Sequence, residues 1–270
     1  MSFAPETIGV PSGPSLEALL ARHRRFLTPV VIVLAWQAGS SLGLIPSRLV
    51  ASPAEIAATF WDLTISGELP RHLLVSLARV TAGLAIGLTL GIVFALIAGL
   101  SRRGEDAVDA TLQMARTLPH LALVPLFILW FGIGEAPKVA LVALGSIFPI
   151  YLNLFAGIRG VDGKIVEAAT TLGLTRSELV RHIILPGALP SFLVGLRYSI
   201  GVAWLSLVVG EQINATSGIG YMAMTAREFL RTDIIFVALI VYAILGLAAD
   251  QIVRLIERTV LVWRPSFVKE

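Results

Sequence analysis

Six long apolar stretches, separated by short polar segments, make up most of the chain. Each is long enough to cross a bilayer, because about 20 helical residues span the hydrocarbon core. The pattern therefore predicts an all-α, polytopic membrane protein with about six transmembrane helices. The predicted spans run from about Phe26 to Ile45, Leu73 to Leu100, Ala107 to Phe131, Val139 to Ile158, Leu189 to Val209 and Ile234 to Ile252.

Prolines and glycines distinguish two of these spans. The third span contains Pro119 and Pro125, and broken spans are tolerated where they face protein or a water-filled path. We therefore expect it to be broken at both prolines and to border a translocation route. The second span has glycines at a spacing that lets membrane helices approach closely, which predicts tight packing there. These glycines are Gly83, Gly87, Gly91 and Gly99.

A short amphipathic helix is predicted between the first two spans, from Pro53 to Trp61. Ser52 is a suitable N-cap for it, and proline is favoured as the first helical residue. We place this helix at the outer membrane interface.

The distribution of charge predicts the orientation in the membrane. Only 14% of residues are charged, 56% are hydrophobic and the mean hydropathy is +0.84, whereas soluble domains carry about 25% charged residues. Lys and Arg accumulate on the cytoplasmic side of membrane proteins. The side predicted to be cytoplasmic carries Arg22, Arg24, Arg25, Arg102, Arg103, Arg159, Lys164, Arg176, Arg181, Arg254, Arg258, Arg264 and Lys269, and the other carries Arg48, Arg71, Lys138, Arg227 and Arg231.

This orientation divides the chain into three parts. Residues 1–25 are predicted to be a cytoplasmic N-terminal segment, residues 26–258 a transmembrane domain and residues 259–270 a cytoplasmic tail. Both termini then lie on one side of the membrane, because the number of spans is even.

Several classes of function lack their residues in this sequence. Without cysteine there is no thiolate chemistry, and the four histidines show no metal-ligand spacing. The basic residues lie at the ends of apolar stretches, which indicates membrane orientation rather than nucleic-acid binding. Asp162-Gly163-Lys164 lacks the other residues of a nucleotide-binding phosphate loop. We therefore predict a chain that is not an enzyme and binds no metal and no cofactor.

The polar segment between the fourth and fifth spans is predicted to form two short helices, 163–172 and 176–184. Gly173 suits the left-handed turn that ends the first helix. Thr175 and Glu178 have the spacing of a capping box for the second. Such a pair could be a knob for a partner protein or an amphipathic linker lying on the membrane, and helical propensity alone leaves both possibilities open.

This segment resembles the signature of permease subunits of bacterial ABC importers. The resemblance implies that residues 160–185, and about Lys164 to Arg181 in particular, couple the membrane helices to a separate ATPase. It also implies a type I importer fold in the bacterial inner membrane, two permease copies, two ATPase subunits that bind ATP-Mg, and a periplasmic or lipid-anchored substrate-binding protein. The signature positions are filled by Glu167, Ala168, Ala169, Gly173, Ile183, Leu185 and Pro186.

A narrower resemblance, to the sulfonate, taurine and nitrate branch of these permeases, extends over most of the chain, and aliphatic sulfonate permeases are the most similar. It implies a small organic anion as cargo, with taurine, nitrate or another small anion as alternatives. The matching segments are Ser52-Pro53, 118–126, 130–134, 148–151, 185–190, 217–221 and 226–230.

Ionisable residues within the predicted spans are candidates for the translocation path, because charges facing lipid are costly. Arg79, Arg116 and Arg197 could each attract an anion, or could pair internally, for example with Glu211 or Asp250. Glu211 could belong to an outer gate or could simply end a helix. His120 could face the path or be a hydrogen-bonded packing residue.

Two other classes of function compete with an ATP-driven permease. An intramembrane enzyme would need a nucleophile with a base, or a metal cluster, within the spans, and we find neither pattern. An ion-driven secondary carrier would be expected to show internal repeats, and the sequence shows none.

Overall fold

The computed structural model describes the backbone of residues 16–263 and the side chains of residues 27–263 except Asn214. The predicted segment 1–25 and the predicted tail 259–270 therefore lie partly outside the described residues. Regular structure in the described part is entirely helical, as predicted. The helices are α1 (Leu16–Ser41), α2 (Pro53–Ile65), α3 (Glu68–Leu100), α4 (Arg102–Ala115), α5 (Val124–Phe131), α6 (Ala136–Arg159), α7 (Gly163–Thr171), α8 (Arg176–Leu179), α9 (Leu185–Asn214), α10 (Ile219–Glu228) and α11 (Thr232–Val260).

Four helices in the described residues are long and apolar enough to cross a membrane. They are α3, α6, α11 and a continuous helix, Arg176–Ile213, that joins α8 to α9. They correspond to the predicted second, fourth, sixth and fifth spans. A fifth candidate is the pair of α4 and the segment His120–Phe131, which are bent by 83°. The apolar stretch of α1, Leu27–Ser41, is shorter than these four.

The centre of the bundle is α6, which packs between α3 and α9. The glycines of α3 make this packing possible, as predicted from their spacing. A Cβ at Gly87 would lie 2.5 Å from the carbonyl oxygen of Ala143, and one at Gly91 would lie 2.9 Å from that of Ile147. Backbones this close have no room for a side chain, so the glycines determine the distance between α3 and α6.

The region predicted as a third span differs from the expectation. Its first half, α4, carries Arg102, Glu105 and Asp109 and folds back on α3 after the N-cap Ser101. The chain then turns through a 3₁₀ segment that begins at His120, directly after Pro119. The predicted break at Pro125 is wrong, because Pro125 lies in the first turn of α5, where a missing N–H leaves no acceptor unpaired.

The amphipathic helix predicted after Ser52 is confirmed and extends to Ile65, four residues beyond the expected end. Ser52 and Glu55 form a capping box: the Glu55 N–H donates to Ser52 Oγ and the Ser52 N–H to Glu55 Oε2. Thr59 Oγ1 donates to Asp233 Oδ2 at 2.8 Å, which fixes α2 to the start of α11.

Two ends of the bundle can be defined from contacts between helix termini. Arg159 donates to the carbonyl oxygen of Ala98 at 3.2 Å, and Arg176 to that of Leu100 at 3.1 Å. The ends of α3 and α6 and the start of α8 therefore lie together, and we term this the basic end. The opposite end, where α3 and α6 begin and α9 finishes, is termed the ion-pair end.

Candidate coupling surface and buried ion-pair centre

The coupling segment at the basic end is built as two capped helices. The Lys164 N–H donates to Asp162 Oδ1 at 2.9 Å at the start of α7. The helix ends at a turn in which Gly173 has φ +89°, a conformation that favours glycine. The capping box predicted for Thr175 and Glu178 is present: the Thr175 N–H donates to Glu178 Oε2 at 2.8 Å. The bounds of α7 and the turn agree with the prediction to within one residue. The second helix begins at Arg176 as predicted, but its α-helical part ends at Leu179, five residues before the expected end.

The signature residues of this segment are mostly accessible. Glu167, Ala168, Gly173 and Leu185 are exposed, whereas Ala169 is buried against the protein. Leu172 at the tip of the turn is 81% exposed. An apolar residue so exposed, next to a small-residue face and a carboxylate, makes a surface suited to a partner protein. The roles of these residues in coupling stay a prediction.

The second helix of the segment does not end where α9 begins. Residues Val180–Ile184 form a π-helical turn, and the Leu185 N–H donates to Val180 O. Pro186 follows in the first turn of α9. Pro186 has no N–H to donate to a carbonyl oxygen in the preceding turn. The wider π turn accommodates this missing hydrogen bond, and the helix continues through it.

A cavity of about 840 Å³ lies between α7 and the start of α9. Its lining includes Ile165, Ile183 and Pro186, and Trp263 at the end of the described chain. Two signature positions, Ile183 and Pro186, therefore face a space between the coupling segment and the transmembrane helices.

The ion-pair end contains a buried centre around Arg79 and Glu211. Arg79 Nη1 donates to Glu211 Oε1 at 2.8 Å and to the carbonyl oxygen of Ser217 at 2.6 Å. Arg79 Nη2 donates to Glu135 Oε1 at 2.7 Å, and its Nε also contacts Glu135. The Arg79 side chain is 3% exposed and that of Glu211 is 0% exposed. The internal pairing left open by the sequence is thus present for Arg79.

The Glu211 carboxylate also holds the start of α10. It accepts from Ser76 Oγ at 2.7 Å and from the Gly220 N–H at 2.8 Å. A Cβ at Gly218, whose φ is +113°, would lie 2.3 Å from Glu211 Oε1. The glycines therefore let the backbone come close to the carboxylate, which sits at a helix N-terminus where negative charge is favoured. Glu211 connects α3, α9 and α10.

Glu135 lies in the loop before α6, and its partly exposed carboxylate forms an ion pair with the buried Arg79. Its hydrogen bonds from the Arg79 guanidinium hold the pKa of the carboxyl below its ordinary value, although partial burial opposes this shift. Lys138, which the sequence suggested as an outer surface charge, is 4% exposed and donates to the Gly134 carbonyl oxygen at 2.8 Å. The centre thus also fixes the loop that joins α5 to α6.

The remaining path candidates lie apart from this centre. Arg197 on α9 pairs with Asp250 at 3.1 Å and with Glu257 at 2.9 Å, both on α11. His120 Nε2 is 3.1 Å from Ser206 Oγ, as the packing alternative expects. Arg116 is not inside an apolar helix as predicted: it is exposed at the C-cap of α4, because that helix is amphipathic. Path roles for all five candidates stay predictions.

Sequence reasoning missed Ser76, Glu135 and Tyr242 as partners in the buried centre. Ser76 could have been found, because it lies with Arg79 and Gly83 at the spacing of one helix face. Glu135 and Tyr242 gave no such signal, since they reach the centre from other elements. Tyr242 approaches Glu211 Oε2 to 3.5 Å.

Comparison with known proteins identifies the family to which the chain is similar. The family described as binding-protein-dependent transport system inner membrane component matches residues 87–262. A protein of Escherichia coli named as an aliphatic sulfonates transport permease, SsuC, is 51% identical over 248 residues, 92% of this chain and 94% of that protein. Its namesake in Bacillus subtilis is 46% identical and covers 89% of this chain and 87% of its own length.

Two further comparisons place these matches in context. The taurine transport system permease protein TauC of Escherichia coli is 34% identical and covers 87% of this chain and 88% of its own. A solved structure described as an amino acid ABC transporter with histidines has a TM-score of 0.61 at 21% identity, covering 75% of this chain and 96% of that chain. That structural similarity concerns the fold.

Proposed function

This chain belongs to the family of inner membrane components of binding-protein-dependent transport systems, and from that premise we propose that it is the permease of an importer for aliphatic sulfonates. It is a transport subunit and not an enzyme. The assignment of the cargo rests on how similar the relatives are to this chain. Identity to the two proteins named for aliphatic sulfonates is 51% and 46%, against 34% for the one named for taurine.

Coupling to ATP hydrolysis is assigned in this proposal to the segment of α7, the Gly173 turn and α8. Its exposed carboxylate at Glu167 and exposed Leu172 give a partner both a charge and an apolar contact. Two ATPase subunits that bind ATP-Mg would dock here, one on each of two permease copies. A two-fold axis between the copies would then place the path at their interface.

Orientation follows from the basic end, which in this proposal faces the cytoplasm together with both termini. Arg102, Arg103, Arg159 and Arg176 lie there, as the positive-inside rule requires. The ion-pair end then faces the periplasm, where a periplasmic or lipid-anchored binding protein delivers the sulfonate. The membrane is the bacterial inner membrane.

The test is uptake of a labelled alkanesulfonate by proteoliposomes that contain the permease with its cognate ATPase and binding protein. We expect uptake that depends on ATP and is lost in Glu167→Lys while the complex still assembles. Arg103→Glu is the matched control, because it reverses an exposed charge at the same end outside the coupling segment. Uptake without ATP would contradict the importer, and ATP-dependent uptake of taurine alone would contradict the cargo.

A further inference from the structure

A groove between α9, α10 and α11 has the size of a small-molecule site. Its main part has a volume of about 590 Å³, within the range of about 300–1,000 Å³ that is typical of ligand pockets. A second cavity of about 180 Å³ continues it toward the basic end. Gly201, Trp204 and Gly246 line both parts, so the two cavities are adjacent along the same pair of helices.

Small residues on α9 and α11 leave this groove open, and most of the residues that line it are apolar. A Cβ at Gly201 or at Gly246 would meet no atom within 4 Å. At most other glycines of the long helices, as at Gly87, a neighbouring residue occupies the space that a Cβ would need. One wall is formed by Trp204 and Tyr242, whose rings lie 6.2 Å apart in an edge-to-face arrangement. The space therefore suits an aliphatic chain.

The two ends of the groove differ in charge. Toward the ion-pair end it reaches Gln212 and Arg227. Arg227 is exposed, and its Nη1 donates to Met224 Sδ at 3.9 Å; within residues 27–263 no carboxylate forms an ion pair with it. At the other end Arg197 is neutralised by Asp250 and Glu257. Only the first end therefore offers an uncompensated guanidinium to an anion.

We propose that this groove is a substrate site of the permease itself, in which Arg227 holds the sulfonate and the apolar walls bind the alkyl chain. The proposal rests on the proposed function and deepens it. From Gln212 to Gly201 the groove follows twelve residues of α9, or about 16 Å of helix, and this length limits the alkyl chain that it accepts. A site of this kind makes the permease select by chain length, in addition to any selection by the binding protein.

The first test uses Gly246→Leu, which adds bulk to the groove at a position where a Cβ would meet no atom within 4 Å, and Ala248→Leu as its matched control. Ala248 lies on the same helix, is exposed and does not line the groove. In proteoliposomes with the full complex, we expect Gly246→Leu to reduce uptake of decanesulfonate, whose chain is long enough to reach this part of the groove, about tenfold or more relative to the control. Uptake of methanesulfonate should change much less, because its short chain does not need the filled part of the groove.

Three results would overturn this site. Equal uptake by the two variants at every chain length would show that the groove is not used. An equal loss for methanesulfonate and decanesulfonate, with poor assembly, would show that a second copy of the chain fills it. Retention of an anionic phospholipid by the wild type, and its loss in Gly246→Leu without a change in uptake, would assign the groove to lipid. If the wild type itself imports no sulfonate, the proposed function fails first.

The second test concerns Arg227. Arg227→Gln removes the charge, and we expect KM for alkanesulfonates to rise about tenfold, the effect of losing one charge-assisted contact, with a smaller change in kcat. Arg227→Lys should recover part of the affinity. A KM that is the same in Arg227→Gln and in the wild type would overturn the role of Arg227.

Discussion

The coupling segment and the buried ion-pair centre are both polar, but their charged side chains differ in solvent exposure. In the coupling segment Glu167 is exposed, and the helices are held by local caps. In the ion-pair centre Arg79 and Glu211 are fully enclosed, and their partners come from distant parts of the chain. Exposed charge is available to another protein, whereas enclosed charge is committed to holding this one together.

This contrast separates two kinds of consequence. A change in the coupling segment should alter transport while the permease remains folded. A change in the buried centre should alter the stability of the permease, because a charge left without its partner inside the protein is costly. Measuring stability and transport on the same variants therefore tests the distinction directly.

The largest effect is expected for Arg79→Ala. Removing the guanidinium leaves the Glu211 carboxylate buried without its ion pair, and the loss of one partner from a buried pair costs about 3–5 kcal/mol. Thermal unfolding of the purified permease in detergent should shift sharply downward. The double variant Arg79→Met with Glu211→Gln should recover part of the loss. A stable Arg79→Ala permease that no longer transports would break the comparison and restore Arg79 as a path residue.

A smaller loss is expected for Gly87→Val, which lies outside both polar regions. The added side chain would meet the Ala143 carbonyl oxygen, because even a Cβ would lie 2.5 Å from it. Overpacking of this kind costs about 1–3 kcal/mol. Thermal unfolding measures the effect, and Gly201→Val, where a Cβ meets nothing, should remain near the wild type. Equal melting temperatures for the two variants would contradict the close packing of α3 on α6.

Gly173→Ala should have a modest effect on stability and a larger one on coupling. At φ +89° a side chain costs about 1–2 kcal/mol, which we expect to appear as faster hydrogen exchange in α7 and weaker stimulation of ATP hydrolysis by the loaded binding protein. Gly163→Ala is the control, since it lies in the first turn of α7 with open space around its Cβ. Identical ATPase stimulation in both variants would separate the turn from coupling.

The smallest effect is expected for Glu135→Gln. Its carboxyl has a lowered pKa in the folded protein, so its contribution is complete above the ordinary pKa of about 4.3 and is lost as the pH falls through the lowered value. The side chain is 60% exposed, so solvent screening limits the contribution to about 0.5 kcal/mol. At pH 7 the variant should melt at a slightly lower temperature than the wild type, and the two melting temperatures should converge as the pH falls through the lowered pKa of Glu135. A difference in melting temperature that stays constant as the pH is lowered would show that the charge is not the cause.

Local chemistry allowed much of the coupling segment, and the start of α2, to be predicted from the sequence. The caps at Ser52 and Thr175, and the turn at Gly173, each depend on residues within four positions of one another. The glycine spacing in α3 was equally informative, because a helix places such residues on one face. The amphipathic α4 was missed because its charges were assigned to the end of a span rather than to a helix of their own.

The buried centre could not be predicted in the same way. Arg79 meets Glu211 across 132 positions of sequence and Glu135 across 56. Its position within an apolar helix indicated that it needs a partner, but several carboxylates were available. Only the packing of α3 against α6 and α9 selects Glu211 and Glu135 over Asp250, which pairs with Arg197 instead.

A continuous helix from Arg176 to Ile213 connects the coupling segment to the buried ion-pair centre, because Glu211 lies near its end. Its 38 residues extend over about 57 Å, with the π turn at Val180–Ile184 as the place where its helical register shifts. A rigid rod of that length amplifies angle into displacement: a tilt of roughly 5° at one end moves the other by roughly 5 Å. A tilt of this helix at Arg176 would therefore reach Glu211 through the backbone of one helix, without a relay of side chains.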